Sequence, residues 1–413
     1  MVSLIEHCDS WLRKHWTVLA VILIVLLSFH IRLIDYRWPY LRNIDSYAFY
    51  REMEMIVDTG MLQTTDTLFF RSALEQQIAD AVKFDFNPLW YFRAPYQYLG
   101  AFSFMLVRSI INIELWQYLI YLPALLASLA AIPAYYVGRE IYDRKAGVLA
   151  ALFYVFDISN VSRSLGGDPD TDSIIMLFPV ATMALYLLMY RRTEVLGKIS
   201  KLSIIYGILA GVMLALFQNV WAGYWYLPWL IAGFLLARSA LAVVQGRNVS
   251  HVPKAMGRHF LAFGIMMAAY LAFNAPFFGV EHVYSTIYGP FEYSDLKSEN
   301  IRPFPNVYVS VAELQQPGNI VSIIGKISPV GGAALWFSPF MLSLYALAWL
   351  AYAYYKRREH FDTLALLSLW LLGPMIATLV AVRFTLLFAA PMSVGGAILL
   401  SRLYDYFTER GKK

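Results

Sequence analysis

Residues 146–190 read "AGVLAALFYVFDISNVSRSLGGDPDTDSIIMLFPVATMALYLLMY", two apolar runs joined by a short connection that holds Arg163, Asp168, Asp170 and Asp172. The runs, 146–160 and 173–190, read as neighbouring membrane spans, so the acidic connection turns back at one membrane face. Outward from this hairpin the pattern repeats. Apolar runs near 16–34, 116–137, 203–219, 221–241, 258–279, 331–355, 361–379 and 383–403 are of similar character. With 59% hydrophobic and 15% charged residues and a mean hydropathy of +0.53, the chain belongs with polytopic membrane proteins rather than soluble domains. The expected fold is all-α, a transmembrane bundle of about 10–13 spans.

The net charge of +5 would suggest an anionic partner in a soluble protein, but here its placement says more. Arg13-Lys14, Arg139 with Arg144-Lys145, Arg191-Arg192 with Lys198 and Lys201, Arg247 with Lys254 and Arg258, Lys356-Arg357-Arg358, and Arg410 with Lys412-Lys413 fall in alternate connections. Because Lys and Arg stay in cytoplasmic loops, both chain ends are expected in the cytoplasm. The segments holding Asp45, Asp168 to Asp172, Glu313 and Arg383 then face the extracellular or periplasmic side of the cell membrane. The first apolar run lacks a small-residue cleavage pattern and is expected to remain as an anchor. The lone Cys8 offers no disulfide, thiol or zinc chemistry, and nothing in the pattern points to nucleic acid.

Residues 1–413 read as one transmembrane domain, without internal repeats or a separate soluble unit. Two exterior connections, about 35–115 and 280–330, exceed ordinary loop length and are expected to be functional, as is the shorter loop 161–173. Within the first, 97–112 is apolar enough to resemble a span. A crossing there would invert the later basic clusters, so an interfacial helix is expected.

An Asp-x-Asp pair without a rigid cage suits a hard divalent cation such as Mg²⁺ or Mn²⁺, whose oxygen ligands can be shared between protein and phosphate. Each group alone has an ordinary alternative. Asp45 would cap a following helix, Glu313 would be a solvated loop acid, Arg383 would snorkel to headgroups, and Asp168 would serve the turn before Pro169. Together they place three separated acidic positions and an arginine at one membrane face. Such a constellation fits transfer from a lipid phosphate, with carboxylates on a cation and a guanidinium fork on phosphate oxygens.

The motifs resemble the catalytic subunits of oligosaccharyltransferases through nearly the whole chain. Asp45 with Ser46-Tyr47-Ala48-Phe49-Tyr50-Arg51 resembles the first-loop aspartate motif. Ser162-Arg163-Ser164 through Asp170-Thr171-Asp172 is similar to the second-loop signature, the most specific of the set. Trp221-Ala222-Gly223-Tyr224 resembles an aromatic-glycine boundary segment. Ser310-Val311-Ala312-Glu313 resembles the loop motif ending in the catalytic glutamate, and Val382-Arg383-Phe384 matches the donor-phosphate arginine.

The resemblance implies a GT-C-type glycosyltransferase of the archaeal or bacterial single-subunit kind. It would move a glycan from a polyprenyl (dolichyl or undecaprenyl) phosphate or pyrophosphate to asparagine in Asn-x-Ser/Thr. It implies Asp45 and Glu313 as catalytic groups at the acceptor amide, and Asp45, Asp170, Asp172 and Glu313 around Mn²⁺ or Mg²⁺. Arg383 is implied on the lipid phosphate and Arg163 in support, with Asp168, Trp221 and Tyr224 as further members; Trp221 and Tyr224 read more readily as packing residues. The partners are then the lipid-linked donor, an acceptor polypeptide and membrane lipid. The family continues into an exterior globular domain with a Trp-Trp-Asp-Tyr-Gly motif, whereas this sequence stops after Tyr404-Asp405-Tyr406 and a basic tail. A separate chain supplying acceptor recognition, a shortened gene, and an acceptor that needs no such pocket are three explanations. The alternatives to this function are another polyprenyl-dependent glycosyltransferase acting on hydroxyl or glycan acceptors, and a flippase or non-catalytic lipid-glycan binding subunit.

Overall fold

A computed structural model describes residues 2–34, 36–37, 39–62, 94–246, 251–279, 281–295, 320–327, 332–380 and 382–410. Among these the chain is helical and without strands. In chain order the first helices are α1 (Val2–Leu33), α2 (Ile44–Thr59), α3 (Pro95–Arg108), α4 (Leu115–Leu129), α5 (Ala131–Ile141), α6 (Arg144–Phe156), α7 (Ile158–Ser162) and α8 (Asp172–Leu196). They are followed by α9 (Lys201–Gln218), α10 (Tyr226–Gly246), α11 (His251–Phe278), α12 (Glu281–Asp295), α13 (Ile320–Ile327), α14 (Pro339–Arg357), α15 (Phe361–Val380) and α16 (Ala389–Arg410). Eight helical stretches among the described residues are long and apolar enough to cross a bilayer. The chain is an all-α multi-pass membrane protein.

Several runs that read as continuous spans are built in two pieces. The 116–137 run breaks between α4 and α5 at Ala130, because Pro133 lacks an N–H and its ring crowds the carbonyl four residues earlier. The runs starting at 221, 331 and 383 each open with a 3₁₀ turn, at Ala222–Trp225, Gly332–Phe337 and Val382–Phe388. In all three an α-helix follows with a proline in its first turn, at Pro228, Pro339 and Pro391. An N–H missing there costs nothing, since the first helical amides have no intrahelical acceptor. Helix α3 has 14 residues, about 21 Å at 1.5 Å per residue, and is too short to cross a core of about 30 Å.

Hydrophobicity does not by itself drive helices together in lipid, so close packing must. At the α5–α6 crossing, a Cβ on Gly147 would sit 2.7 Å from the Tyr135 carbonyl oxygen, and one on Gly138 would sit 2.7 Å from that of Ala146. At the α9–α11 crossing, a Cβ on Gly211 would come within 2.3 Å of the Met266 carbonyl oxygen. Large apolar side chains meanwhile face outward along α1, with Leu23 and Leu26 more than half exposed, as lipid contact requires.

The 25-residue α8 separates two chemically different ends. Asp172 starts it, and Glu194, about 33 Å further along the axis, lies in its last turn. At the Glu194 end, His259 Nε2 lies 2.6 Å and Arg258 3.1 Å from that carboxylate, while Arg238 pairs with Asp362 at 2.9 Å. Arg191 donates to the Glu140 carbonyl and Lys145 pairs with Asp405 at the same end. The basic connections therefore gather opposite the acidic loop. A Gly211→Val substitution is expected to force α9 from α11 and to destabilise the bundle by about 1–3 kcal/mol, read as a lower thermal unfolding midpoint by circular dichroism in detergent.

Candidate active site

The acidic loop is positioned mainly by main-chain contacts. Gly166 N–H donates to the Arg32 carbonyl at 2.8 Å, and Gly167 N–H donates to that of Ile120 at 3.0 Å. These bonds lay the loop on α1 and α4. A side chain added there would have to displace its neighbours: a Cβ on Gly166 would be 2.6 Å from Leu33, and one on Gly167 2.5 Å from the Tyr36 ring. Gly167 also adopts φ +79°, a conformation that L side chains rarely take.

The segment before α2 joins the acidic loop. Arg42 donates its backbone N–H to the Gly167 carbonyl at 2.7 Å and its Nε to the Gly166 carbonyl at 3.0 Å. Four residues on, Ser46 Oγ donates to Asp168 Oδ1 at 2.9 Å. Asp168 thus ties the two segments together. Asp45 is not the helix cap. Asn43 caps α2, accepting from Ile44 N–H at 2.8 Å, while Asp45 is exposed in the first helical turn.

Arg163 and Asp172 form an ion pair at 3.0 Å across the ends of the acidic loop, with Asp172 buried at the start of α8. Asp172 stands in the first turn of that helix, a favourable place for negative charge. Asp170 Oδ1 accepts from the Thr171 hydroxyl at 3.0 Å. Burial pushes the Asp170 carboxyl above its ordinary range, and the charge of Asp172 adds to the effect. Burial likewise raises Asp168, opposed by the Ser46 hydroxyl bond and reinforced by Asp172 and, more weakly, by Asp45. Asp45, Asp168, Asp170 and Asp172 therefore share one electrostatic neighbourhood. Carboxylates crowded in this way bind protons or cations more readily than isolated ones.

Among the described residues no three His, Cys, Asp or Glu side chains close into a ligand cage. The crowded carboxylates still fit a hard cation that completes its shell with water or phosphate oxygens. Tyr96 of α3 sits behind them, fully buried, with its ring edge-on to Phe49 at 5.5 Å. Burial and the nearby Asp170 hold its phenol protonated, well above the ordinary range.

Glu313 lies outside the described residues, and of Arg383 the structure describes the backbone alone. The described elements nearest to them in the chain have definite contacts. Helix α12, before the Glu313 segment, packs on the Ala222–Trp225 turn, and α13, after it, packs on the Val382–Phe388 turn that carries Arg383. The latter turn also meets α7, the short helix leading into the acidic loop. Tyr224 is buried, with its hydroxyl bonded to Thr286 of α12 at 2.8 Å, and Trp221 packs against Phe384 with ring centroids 6.0 Å apart. Beside them opens an apolar groove of about 460 Å³, lined by Trp221, Trp225, Trp229, Trp370, Ile376 and Phe384 among others.

The sequence pattern does not single out Arg32, Arg42, Ser46 or Tyr96. Arg32 carries one usable signal, a charge inside an apolar run, where an ionisable group has a reason to be. The others are ordinary residues whose partners are far away in the chain.

The sequence matches the profile of a family described as "Oligosaccharyl transferase STT3, N-terminal" over residues 16–409. A dolichyl-phosphooligosaccharide-protein glycotransferase 3 of Archaeoglobus fulgidus is 23% identical, over 97% of this chain and 52% of that protein. The crystal structure of the A. fulgidus oligosaccharyltransferase in its apo form is similar in fold, with a TM-score of 0.66 at 19% identity, covering 96% of this chain and 51% of that one. The archaeal oligosaccharyltransferase AglB from A. fulgidus, in complex with an inhibitory peptide and a dolichol-phosphate, matches with a TM-score of 0.61 at 20% identity, over 96% of this chain and 51% of that one. The chain spans about half the length of these relatives. If the crowded carboxylates take a cation, added Mn²⁺ is expected to raise the thermal unfolding midpoint of the purified protein, and Asp170→Asn to abolish most of that rise in a detergent-solubilised melt.

Proposed function

Because the chain belongs to the oligosaccharyl transferase STT3 family, we propose that it carries the catalytic machinery for moving a glycan from a polyprenyl phosphate or pyrophosphate to the side-chain amide of Asn-x-Ser/Thr. The observation that carries this reading is the clamp of Arg42 and Ser46 on Gly166, Gly167 and Asp168, which draws the Asp45 turn into the electrostatic neighbourhood of Asp170 and Asp172. An acid-rich loop whose leading helix α7 meets the Val382–Phe388 turn, with Phe384 of that turn lining an aromatic groove, suits a substrate that is anionic at one end and isoprenoid at the other. The dolichol-phosphate and peptide bound to the A. fulgidus protein support the same pairing of donor and acceptor.

In this reading Asp170 and Asp172, with Asp45 and Glu313, hold Mn²⁺ or Mg²⁺. The ion, when bound, supplies positive charge for the departing phosphate. Arg163 fixes the Asp172 carboxylate through its ion pair, and Arg383 binds donor phosphate oxygens. The groove beside Phe384, the chain neighbour of Arg383, takes the first isoprene units.

The acceptor poses the chemical difficulty, since an amide nitrogen has its lone pair delocalised into the carbonyl. Asp45 and Glu313 accept hydrogen bonds from the two N–H groups, favour a geometry with less delocalisation, and one of them receives the proton. Trp221 and Tyr224 pack rather than react. The site faces the extracellular or periplasmic side, opposite the basic connections.

A lipid-pyrophosphate glycan, Mn²⁺ and an Asn-x-Thr peptide, given to purified protein with candidate partner chains, test the reading directly. Asp170→Ala and Glu313→Ala are each expected to slow glycopeptide formation by about 100-fold or more, the scale of losing a transition-state charge stabiliser. Arg383→Ala is expected to raise the KM for donor more than that for peptide. Undiminished transfer in both acidic variants would reject the site, and metal-dependent transfer to hydroxyl acceptors alone would reassign the acceptor.

A further inference from the structure

Arg32 lies near the end of the first span, at 0% exposure. Its Nε donates to Ser164 Oγ at 2.8 Å, and its Nη2 to the Val155 carbonyl at 2.8 Å. Its Nη1 donates to the Ser28 carbonyl at 3.2 Å and to the Ser28 hydroxyl. Every one of these acceptors is neutral. Among the described residues no carboxylate lies within ion-pair distance of the guanidinium, although a lipid-facing chain makes a buried unpaired charge expensive. The residue's own carbonyl accepts from Gly166.

One residue of α1 therefore holds both ends of the stretch from Val155 to Gly166. That stretch contains Asp157, which caps α7 through Ser159 N–H at 3.0 Å, and Arg163, which pairs with Asp172. Ser164 Oγ passes the contact on, donating to the Asn160 carbonyl at 2.6 Å. A rigid planar fork with fixed donor directions suits this task, and a flexible ammonium does not.

We propose that Arg32 is a positioning residue for the acidic loop: it sets where Arg163, Asp168, Asp170 and Asp172 stand above the bundle, and so how well they hold a cation. The second half of this inference rests on the reading of those acids as the cation site, and the first half does not. Charge alone is not the agent. Arg32→Lys keeps the charge and loses the fork, while Ser164→Ala keeps the guanidinium and removes one acceptor with little volume change.

The full chain in nanodiscs, wild type and both variants, is compared by hydrogen–deuterium exchange and by thermal melts titrated with Mn²⁺ alone. Amides in 163–171 are expected to exchange at least tenfold faster in both variants, with α9 and α11 unchanged. The Mn²⁺ concentration giving half the thermal stabilisation is expected to rise at least threefold. Unchanged exchange in 163–171 in both variants overturns the proposal, as does faster exchange spread evenly over the spans, the mark of a merely structural arginine. Faster local exchange with an unshifted Mn²⁺ midpoint overturns the link to the cation. Wild-type protein that Mn²⁺ does not stabilise removes the cation reading itself, while the exchange comparison still decides the placement of the loop.

Discussion

The contact of Gly166 and Gly167 with the carbonyls of Arg32 and Ile120 is the constraint on which the rest of the site depends. At a membrane boundary, backbone amides leaving one span and entering the next need acceptors, and water is scarce on the bundle side. Two glycines let the loop sink until Arg32 of α1 and Ile120 of α4 supply those acceptors. The loop's own carbonyls are then free for Arg42, which takes both, one through its backbone N–H and one through Nε. Two segments more than a hundred residues apart are thereby joined, with the Ser46 to Asp168 bond as the third link. Four carboxylates come within electrostatic reach of one another as the consequence.

That arrangement works against itself in the absence of positive charge. Burial raises Asp168 and Asp170, and the charge of Asp172 adds to both. One local cation, Arg163, is committed to Asp172. Crowded acids that are only partly compensated are unfavourable for folding and favourable for binding a divalent ion, a trade that functional sites commonly make. The close helix crossings at Gly138, Gly147 and Gly211 supply a scaffold stiff enough to hold it.

The helix entrances on this side follow a second common rule. Three spans start with a 3₁₀ turn and a first-turn proline, so their first α-helical turns begin deeper in the bundle than the hydrophobic runs indicate. Two of those turns carry groups of the proposed site or the wall of the aromatic groove, at Ala222–Trp225 and Val382–Phe388. Irregular backbone at this depth is tolerated where protein surrounds it. It offers the site a recess rather than a flat membrane surface.

Much of this was legible from residue order. The membrane spans, the all-α class, a helix within 97–112 that does not cross and a place for Arg163 near the acids follow from hydropathy, length and motif, because each depends on neighbours within a few turns of chain. Asp45 as a cap did not survive, since α2 starts at Ile44 with Asn43 as its cap, which leaves Asp45 inside the first helical turn. The broken run at 130 was in principle readable from Pro133. The role of Gly166-Gly167 was not, for a glycine pair announces a turn without naming what approaches it.

Residue order alone specifies a bundle of membrane helices and an acid-rich connection at 161–173, because solvation by lipid acts on every residue where it stands. That Arg32, Arg42 and Ser46 hold the acidic loop, and that an aromatic groove opens beside the turn bearing Arg383, emerges only once the chain is folded. The loop contacts join residues more than a hundred positions apart, and their partners are backbone carbonyls or ordinary serine and aspartate side chains that carry no mark of a distant mate.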